Sequence, residues 1–118
     1  MDTKKVYDLV GGNYEDAMTR LRKPERIEKF LKLFLKDTSF IELKKNMEAG
    51  DMDQAFVAAH TAKGVCANLS LERLRALVSD LTEDLRDGKD PDHARAAYPE
   101  VAACYEMTIQ TIKENLEP

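Results

Sequence analysis

A histidine, a lysine and a glycine share one face of a predicted helix. His60, Lys63 and Gly64 occupy positions i, i+3 and i+4 in the run AFVAAHTAKGVCANLSLERL, and residues at these spacings are neighbours on a helix surface. A neutral imidazole is a competent nucleophile toward an activated phosphoryl group. A lysine ammonium can pair with the oxygens that the phosphorylated ring would carry. This pattern is typical of a site that accepts and donates phosphate.

The helix around His60 has an apolar arc on the opposite side. Successive residues turn by about 100°, so the arc facing away from His60 holds Ala55, Ala58, Ala59, Ala62, Val65, Cys66 and Leu69. The near arc holds Asp53, Phe56, Val57, Lys63, Gly64 and Ala67. We therefore expect His60 to face solvent. A glycine inside a helix lowers its stability by about 1 kcal/mol relative to alanine. We expect that Gly64 is present despite this loss because it leaves the imidazole accessible.

Three small or apolar residues of the near arc surround this centre. Phe56, Val57 and Ala67 would give His60 an exposed apolar border, which is the composition that a docking surface needs. We predict that these three residues bind a partner.

The chain lacks the parts that would let it transfer phosphate by itself. It has no GxxxxGK sequence, no glycine-rich loop and no group of carboxylates beside His60 to hold magnesium. Neither His60, His93 nor the cysteines have the spacing of metal ligands, and Cys66 lies on the arc opposite His60. Glu-x-x-His pairs of the di-iron bundles are absent as well. We expect no cofactor and no metal site, and a solvated His93.

Length and composition fit one helical domain over residues 1–118. Charged residues make up 34% and hydrophobic residues 43%, with a net charge of -4, a balance that favours a folded, soluble protein. No basic block indicates a nucleic-acid partner, and no apolar run reaches the roughly 20 residues of a membrane span. The start, MDTKKVYDLV, lacks the apolar core of a secretion signal, so we expect a cytoplasmic protein. In that compartment Cys66 and Cys104 are expected to be buried thiols rather than a disulfide or redox pair.

Apolar residues recur at helical spacing along the whole chain. A short first helix is followed by a second that Asn13 can cap and that ends near Arg22. Pro24 begins the next segment, with one stripe formed by Ile27, Leu31, Phe34, Thr38 and Ile41 and a shifted one formed by Phe40, Leu43 and Met47. The shift indicates a bend near residues 37–39. Gly50 ends this segment, and either Asp51 or Asp53 begins the His60 helix.

Two further helices complete the prediction. Ser70 is the expected N-cap of a helix with the stripe Leu71, Leu74, Leu77, Val78, Leu81 and Leu85, which Gly88 stops. Asp90 and Pro91 begin the last helix, and Pro99 inside it predicts a kink or a split into two. Long amphipathic helices with short connections indicate an all-α antiparallel bundle.

The residues around His60 resemble the histidine phosphotransfer (HPt) domain of phosphorelays. The family pattern is roughly A-H-x-x-K-G-x-x-x-x-[LI]-G, which this chain matches with Ala59, His60, Lys63, Gly64 and Leu69. The segments FLKLFLKDTSFIELKKNMEAGDMDQA and LERLRALVSDL are similar to the helices before and after the histidine helix, so the likeness covers roughly Val10 to Gly88. One departure is Ser70, which stands where the family usually has glycine.

The resemblance implies a four-helix bundle with additional short N-terminal helices and phosphorylation of His60. The phosphoryl group would be exchanged with the aspartate of a response-regulator receiver domain, which brings its own Mg²⁺. Lys63 would stabilise the phosphohistidine, and Gly64 would give access to the ring. A sensor or hybrid histidine kinase is the other implied partner, since this chain would be a phosphocarrier without kinase apparatus.

Two other functions compete with the phosphocarrier. A helical adaptor could keep the bundle and bind receiver or kinase domains without chemistry, although such a protein would be expected to lose the histidine or the lysine. A hydrolase using His60 as a base would need a nucleophile and an orienting carboxylate, and Thr61 and Asp53 are poorly placed for these roles. No feature demands a dimer, so we expect a monomer.

Overall fold

The protein is all-α, as predicted. The computed structural model describes residues 1–116, in which there is no strand. The helices are α1 (Thr3–Val10), α2 (Tyr14–Leu21), α3 (Pro24–Phe34), α4 (Ser39–Ala49), α5 (Met52–Asn68), α6 (Glu72–Leu85) and α7 (Pro91–Glu114), with a 3₁₀ turn at Arg86–Gly88. None of these helices is both long enough and apolar enough to cross a membrane.

Four of the helices close into a ring around the core. Helix α4 packs on α5, α5 on α6, α6 on α7, and α7 returns to α4. The connections between them are short, so neighbouring helices run antiparallel. Helices α1, α2 and α3 pack at one end of this ring, where α1 contacts both α3 and α7. The predicted antiparallel bundle with additional N-terminal helices is confirmed.

Side-chain caps fix where several helices begin. The carboxylate or amide oxygens of Asn13, Asp51 and Asp90 accept the backbone N–H three residues ahead, at the starts of α2, α5 and α7. Such a bond satisfies one of the donors that the first helical turn leaves unpaired. Asn13 and Asp90 were the expected caps, and of the two candidates for α5 the cap is Asp51.

The segment after Pro24 is two helices rather than one bent helix. Helix α3 ends at Phe34 and α4 begins at Ser39, so the apolar stripe of α3 does not continue into α4. Phe40 and Leu43 are buried, whereas Ile41, predicted to share the stripe of Ile27, is 58% exposed. The change of face at residues 35–38 explains why that part of the stripe prediction was wrong.

Ser70 does not cap α6. The residue before α6 is Leu71, and no side chain caps the helix. Ser70 is buried with φ of 55°, in the left-handed region that favours glycine. Its hydroxyl donates to the carboxylate of Asp16 at 2.6 Å and contacts the guanidinium of Arg20. The N-cap prediction was wrong because the turn between α5 and α6 needs a left-handed residue at this position.

Two other helix ends differ in detail from the sequence prediction. Helix α6 ends at Leu85, and the chain then makes the 3₁₀ turn that closes at Gly88. Helix α7 continues through Pro99 without a break. Of the two outcomes expected at Pro99, the split is therefore wrong, because packing of the helix on both sides of the proline outweighs the loss of one backbone N–H donor.

Both cysteines are buried thiols, as predicted. Cys66 and Cys104 are free, with almost no exposed surface. Burial raises the pKa of both thiols, which keeps them protonated and unreactive near neutral pH. They serve as small apolar residues of the core.

Candidate functional site

Helix α5 presents His60 to solvent from a backbone that is held by small residues. Its buried residues are Ala55, Ala58, Ala59, Ala62 and Cys66. Small side chains allow α4 and α6 to approach closely on either side, so the helix is fixed while its outer face remains uncovered. His60 is exposed on that outer face, which confirms the orientation predicted from the helical rotation. Val65, expected in the core, is half-buried.

The imidazole of His60 stacks on an aromatic ring, and that ring also contacts a cation. The ring of Phe56, one turn before His60, is nearly parallel to the imidazole, with centroids 6.0 Å apart and 19° between the planes. The guanidinium of Arg86 lies 5.0 Å from the centroid of the Phe56 ring, within the range of a cation–π contact. Phe56 is consequently half-buried, less exposed than its place on the near arc suggested.

The cation over the Phe56 ring belongs to an ion pair with Glu83. Arg86 donates from Nε and Nη2 to Oε2 of Glu83 at 3.0 and 2.9 Å. The hydrogen bond and charge of Arg86 lower the pKa of the Glu83 carboxyl, and the ammonium of Lys63 contributes in the same direction. Glu83 in turn raises the pKa of Arg86. Lys63 is half-buried, and Lys63 of α5 and Arg86 of the 3₁₀ turn both act on the carboxylate of Glu83 in α6.

The surface above Gly64 is open. Gly64 is exposed, and a Cβ added there would have no heavy atom within 4 Å. Its φ is not positive, so neither packing nor backbone conformation requires glycine at this position. Side chains on a helix lean back over the turn before them, and any larger residue at 64 would therefore lean over His60. The geometry is the one expected if Gly64 provides access.

The other two predicted docking residues are exposed, and a groove lies next to one of them. Val57 is 53% exposed, and Ala67 is exposed one turn beyond Lys63. Between α4 and α5 there is a groove of about 240 Å³. Its lining is formed by Asp37, Thr38, Ser39, Glu42, Asn46, Gln54, Val57, Ala58 and Thr61. Val57 thus joins the His60 face to a groove that the carboxylates of Asp37 and Glu42 border.

The other histidine has a different environment. His93 is exposed in the first turn of α7, and its Nδ1 contacts the carboxylate of Asp84. This hydrogen bond and the negative charge raise the pKa of His93. No group of three His, Cys, Asp or Glu side chains in residues 1–116 is arranged to hold a metal ion. His93 therefore differs from His60 in having a carboxylate as the partner of its imidazole.

Glu83 and Arg86 were not recognised from the sequence. An isolated glutamate in a charged stretch gives no sign of which residues surround it. A signal nevertheless exists. Antiparallel helices joined at residues 69–71 bring the middle of α5 opposite the last turns of α6, so charged residues there are expected to approach His60.

A comparison with known protein families identifies most of this architecture. The Hpt domain matches residues 24–116 of the chain. The matched region covers more than half of the chain and contains α3 to α7, including every residue described around His60, while α1 and α2 precede it. Neither the curated proteins nor the solved structures contain a significant match.

Proposed function

Because the chain belongs to the Hpt domain family, whose members transfer phosphate through a histidine in phosphorelays, we propose that His60 is its phosphoryl carrier. We further propose that residues 1–118 act as one monomeric phosphotransfer domain. The observation that carries the proposal is the exposed imidazole with Lys63 beside it and open space above Gly64. The partners are a receiver domain and a sensor or hybrid histidine kinase, and no cofactor is required on this chain.

The proposed reaction exchanges one phosphoryl group between two side chains. A ring nitrogen of His60 attacks the phosphorus of a receiver's aspartyl phosphate. The new P–N bond forms as the acyl P–O bond breaks, and the aspartate carboxylate leaves with the electron pair. Mg²⁺ held by the receiver would neutralise the phosphoryl oxygens, and Lys63 would pair with them once they are on His60. The reverse reaction uses the same groups.

We propose that the receiver docks on the surface formed by Phe56, Val57 and Ala67. These residues border His60 with apolar surface, and a receiver must cover the imidazole to bring its aspartate within bonding distance. The guanidinium over the Phe56 ring restricts this aromatic side chain, so its contact area is preorganised before a partner arrives.

The hydrolase alternative is weakened by a hydrogen bond. The hydroxyl of Thr61, the nearest candidate nucleophile in sequence, donates to the backbone carbonyl of Val57 at 3.0 Å. That bond holds the hydroxyl against its own helix. The adaptor alternative has the same docking surface and differs only in the chemistry, so the same experiment separates it from the phosphocarrier.

The test is transfer from phosphorylated receiver domains of the same organism, with Mg²⁺ present. We expect acid-labile, base-stable phosphate on the wild-type chain and on His93→Gln, the matched control at the other exposed histidine. His60→Gln should remain unlabelled. Binding of receivers without labelling of any variant would establish the adaptor, and equal labelling of His60→Gln and the wild type would disprove the role of His60.

A further inference from the structure

The ion pair between Glu83 and Arg86 is connected to the proposed phosphoryl site through the Phe56 ring, which contacts both the guanidinium and the imidazole. The fold does not require this ion pair. Both side chains are about half exposed, and neither fills a cavity of the core. An equivalent pair, Glu72 with Arg75, lies near the other end of α6 at the same spacing and distance. The pair near His60 differs in its surroundings, because its arginine covers Phe56 and its glutamate lies near Lys63.

Charge counting shows what Glu83 does to this site. The charged groups that act on the ion pair are Lys63, Arg86 and Lys89, with three positive charges, and Glu83 and Asp87, with two negative charges, so the net charge is +1 with Glu83 and +2 without it. A phosphoryl group on His60 brings close to two negative charges near neutral pH. With Glu83 present the phosphorylated cluster carries an excess negative charge, whereas without it the cluster would be close to neutral. A carboxylate near a dianion raises the free energy of the phosphorylated form.

From these contacts we infer that Glu83 is a positioning residue that keeps the phosphohistidine easy to discharge. It holds the guanidinium of Arg86 in two hydrogen bonds and competes with the phosphoryl oxygens for this cation and for Lys63. This inference rests on His60 being the phosphoryl acceptor. A relay intermediate must not be too stable, because a phosphohistidine held by two unopposed cations would be slow to give its phosphoryl group away.

Two reactions remove the phosphoryl group from His60, and both break the same P–N bond. In transfer, a receiver aspartate attacks phosphorus, the P–N bond breaks, and the electron pair returns to the ring nitrogen. In hydrolysis, water attacks phosphorus, inorganic phosphate leaves, and the ring nitrogen gains the electron pair while a proton is released from the attacking water. Removing Glu83 stabilises the phosphorylated state and so disfavours discharge in both reactions.

The test compares Glu83→Gln with Glu72→Gln, the matched control at the equivalent ion pair. Every variant also carries His93→Gln, which leaves His60 as the single histidine. The chains are phosphorylated with phosphoramidate, whose P–N bond breaks with loss of ammonia, so no receiver is needed. The half-life of the phosphohistidine is then measured, and, with a receiver and Mg²⁺ present, so is the equilibrium ratio of phosphorylated carrier to phosphorylated receiver.

We expect Glu83→Gln to raise the phosphohistidine half-life and the ratio of phosphorylated carrier to phosphorylated receiver by about threefold to fivefold at low salt. The increase should be smaller at 1 M salt, where charges are screened. Glu72→Gln should leave the half-life and the ratio unchanged. Glu83→Asp should restore most of the wild-type behaviour. Adding Arg86→Gln to Glu83→Gln should remove much of the gain, because the released guanidinium is then absent. Thermal melting of each variant reports any change of fold.

An unchanged or shorter half-life in a folded Glu83→Gln chain would overturn the inference. Equal effects of Glu83→Gln and Glu72→Gln would also overturn it, since the effect would then be a general one of surface charge. Failure of the proposed relay is recognised separately. In that case no receiver exchanges phosphate with the wild type, while the half-lives of the chemically phosphorylated chains still decide the role of Glu83.

Discussion

Replacement of Gly64 should make the protein more stable and less active. A Cβ at this position meets no heavy atom within 4 Å, and the backbone is helical. Gly64→Ala therefore introduces neither a clash nor strain, and it gains the full difference in helix propensity, about 1 kcal/mol. For a domain of this size that corresponds to a rise in melting temperature of about 4 °C. The measurement is thermal unfolding followed by circular dichroism.

Gly50 provides a matched contrast for this stability effect. A Cβ at Gly50 also meets nothing within 4 Å, but Gly50 has φ of +73° at the end of α4. Alanine is strained in that conformation, so Gly50→Ala should lower stability by about 1 kcal/mol. The two substitutions have the same chemistry and the same empty surroundings. Their opposite signs would show that backbone conformation decides the stability at each position.

The activity effect requires a larger side chain. Leucine has a helix propensity close to that of alanine, so Gly64→Leu should also be more stable than the wild type. Its side chain leans toward residue 60 and covers the imidazole, and transfer from a phosphorylated receiver should slow by at least about tenfold, while Gly50→Ala transfers normally. If Gly64→Leu is folded and transfers at the wild-type rate, Gly64 does not serve access and the reasoning is refuted.

Three other perturbations test separate parts of the structure. Tyr7→Phe removes the buried hydrogen bond from the Tyr7 hydroxyl to the carbonyl oxygen of Leu69, 2.6 Å long, and urea unfolding should show a loss of about 1 to 2 kcal/mol; no loss would mean that the carbonyl finds another donor. Lys63→Gln should shorten the half-life of phosphorylated His60 several-fold because a positive neighbour is lost, and Lys63→Arg should retain most of it; equal half-lives would exclude a charge role. The bond and charge of Asp84 raise the pKa of His93 above its usual value, so the stabilisation from this pair is complete below pH about 6.5 and is lost as pH rises through the raised value. Titration of the imidazole by NMR should show that pKa fall in Asp84→Asn.

The parts of the fold that could be predicted are those that local rules determine. The caps at Asn13 and Asp90 follow from the side chains alone, and the orientation of His60 follows from helical rotation and the alanines opposite it. These features require no knowledge of neighbouring helices. For the same reason the open surface at Gly64 could be anticipated, since a glycine that costs stability on an exposed face has few structural explanations.

The parts that could not be predicted depend on contacts between helices. Arg86 reaches Phe56 because α6 returns antiparallel to α5 and then turns sharply after Leu85. Neither the register of that pairing nor the turn is visible in the spacing of apolar residues. The charge environment of His60 therefore came from the structure, although His60, Lys63 and Gly64 themselves were evident from the sequence.

Ser70 connects the N-terminal helices to the end of the His60 helix. A residue other than glycine with φ of 55° is strained by about 1 kcal/mol or more, and the hydroxyl of Ser70 offsets this cost through Asp16 and Arg20 of α2. Arg20 also donates to the carbonyl oxygens of Ala67 and Asn68 at the C-terminal end of α5, and the Ala67 oxygen accepts the backbone N–H of Ser70 as well.

Helix α2 lies outside the region that matches the Hpt domain, yet its Arg20 binds the carbonyl oxygens at the C-terminal end of the helix that carries His60. Tyr7 of α1 contributes in the same way through the Leu69 carbonyl. A close approach explains Gly12, since a Cβ there would lie 2.6 Å from the Tyr7 ring. Serine can therefore occupy a position that favours glycine because α1 and α2 supply the hydrogen bonds that hold this turn, and these two helices are part of what fixes α5 in place.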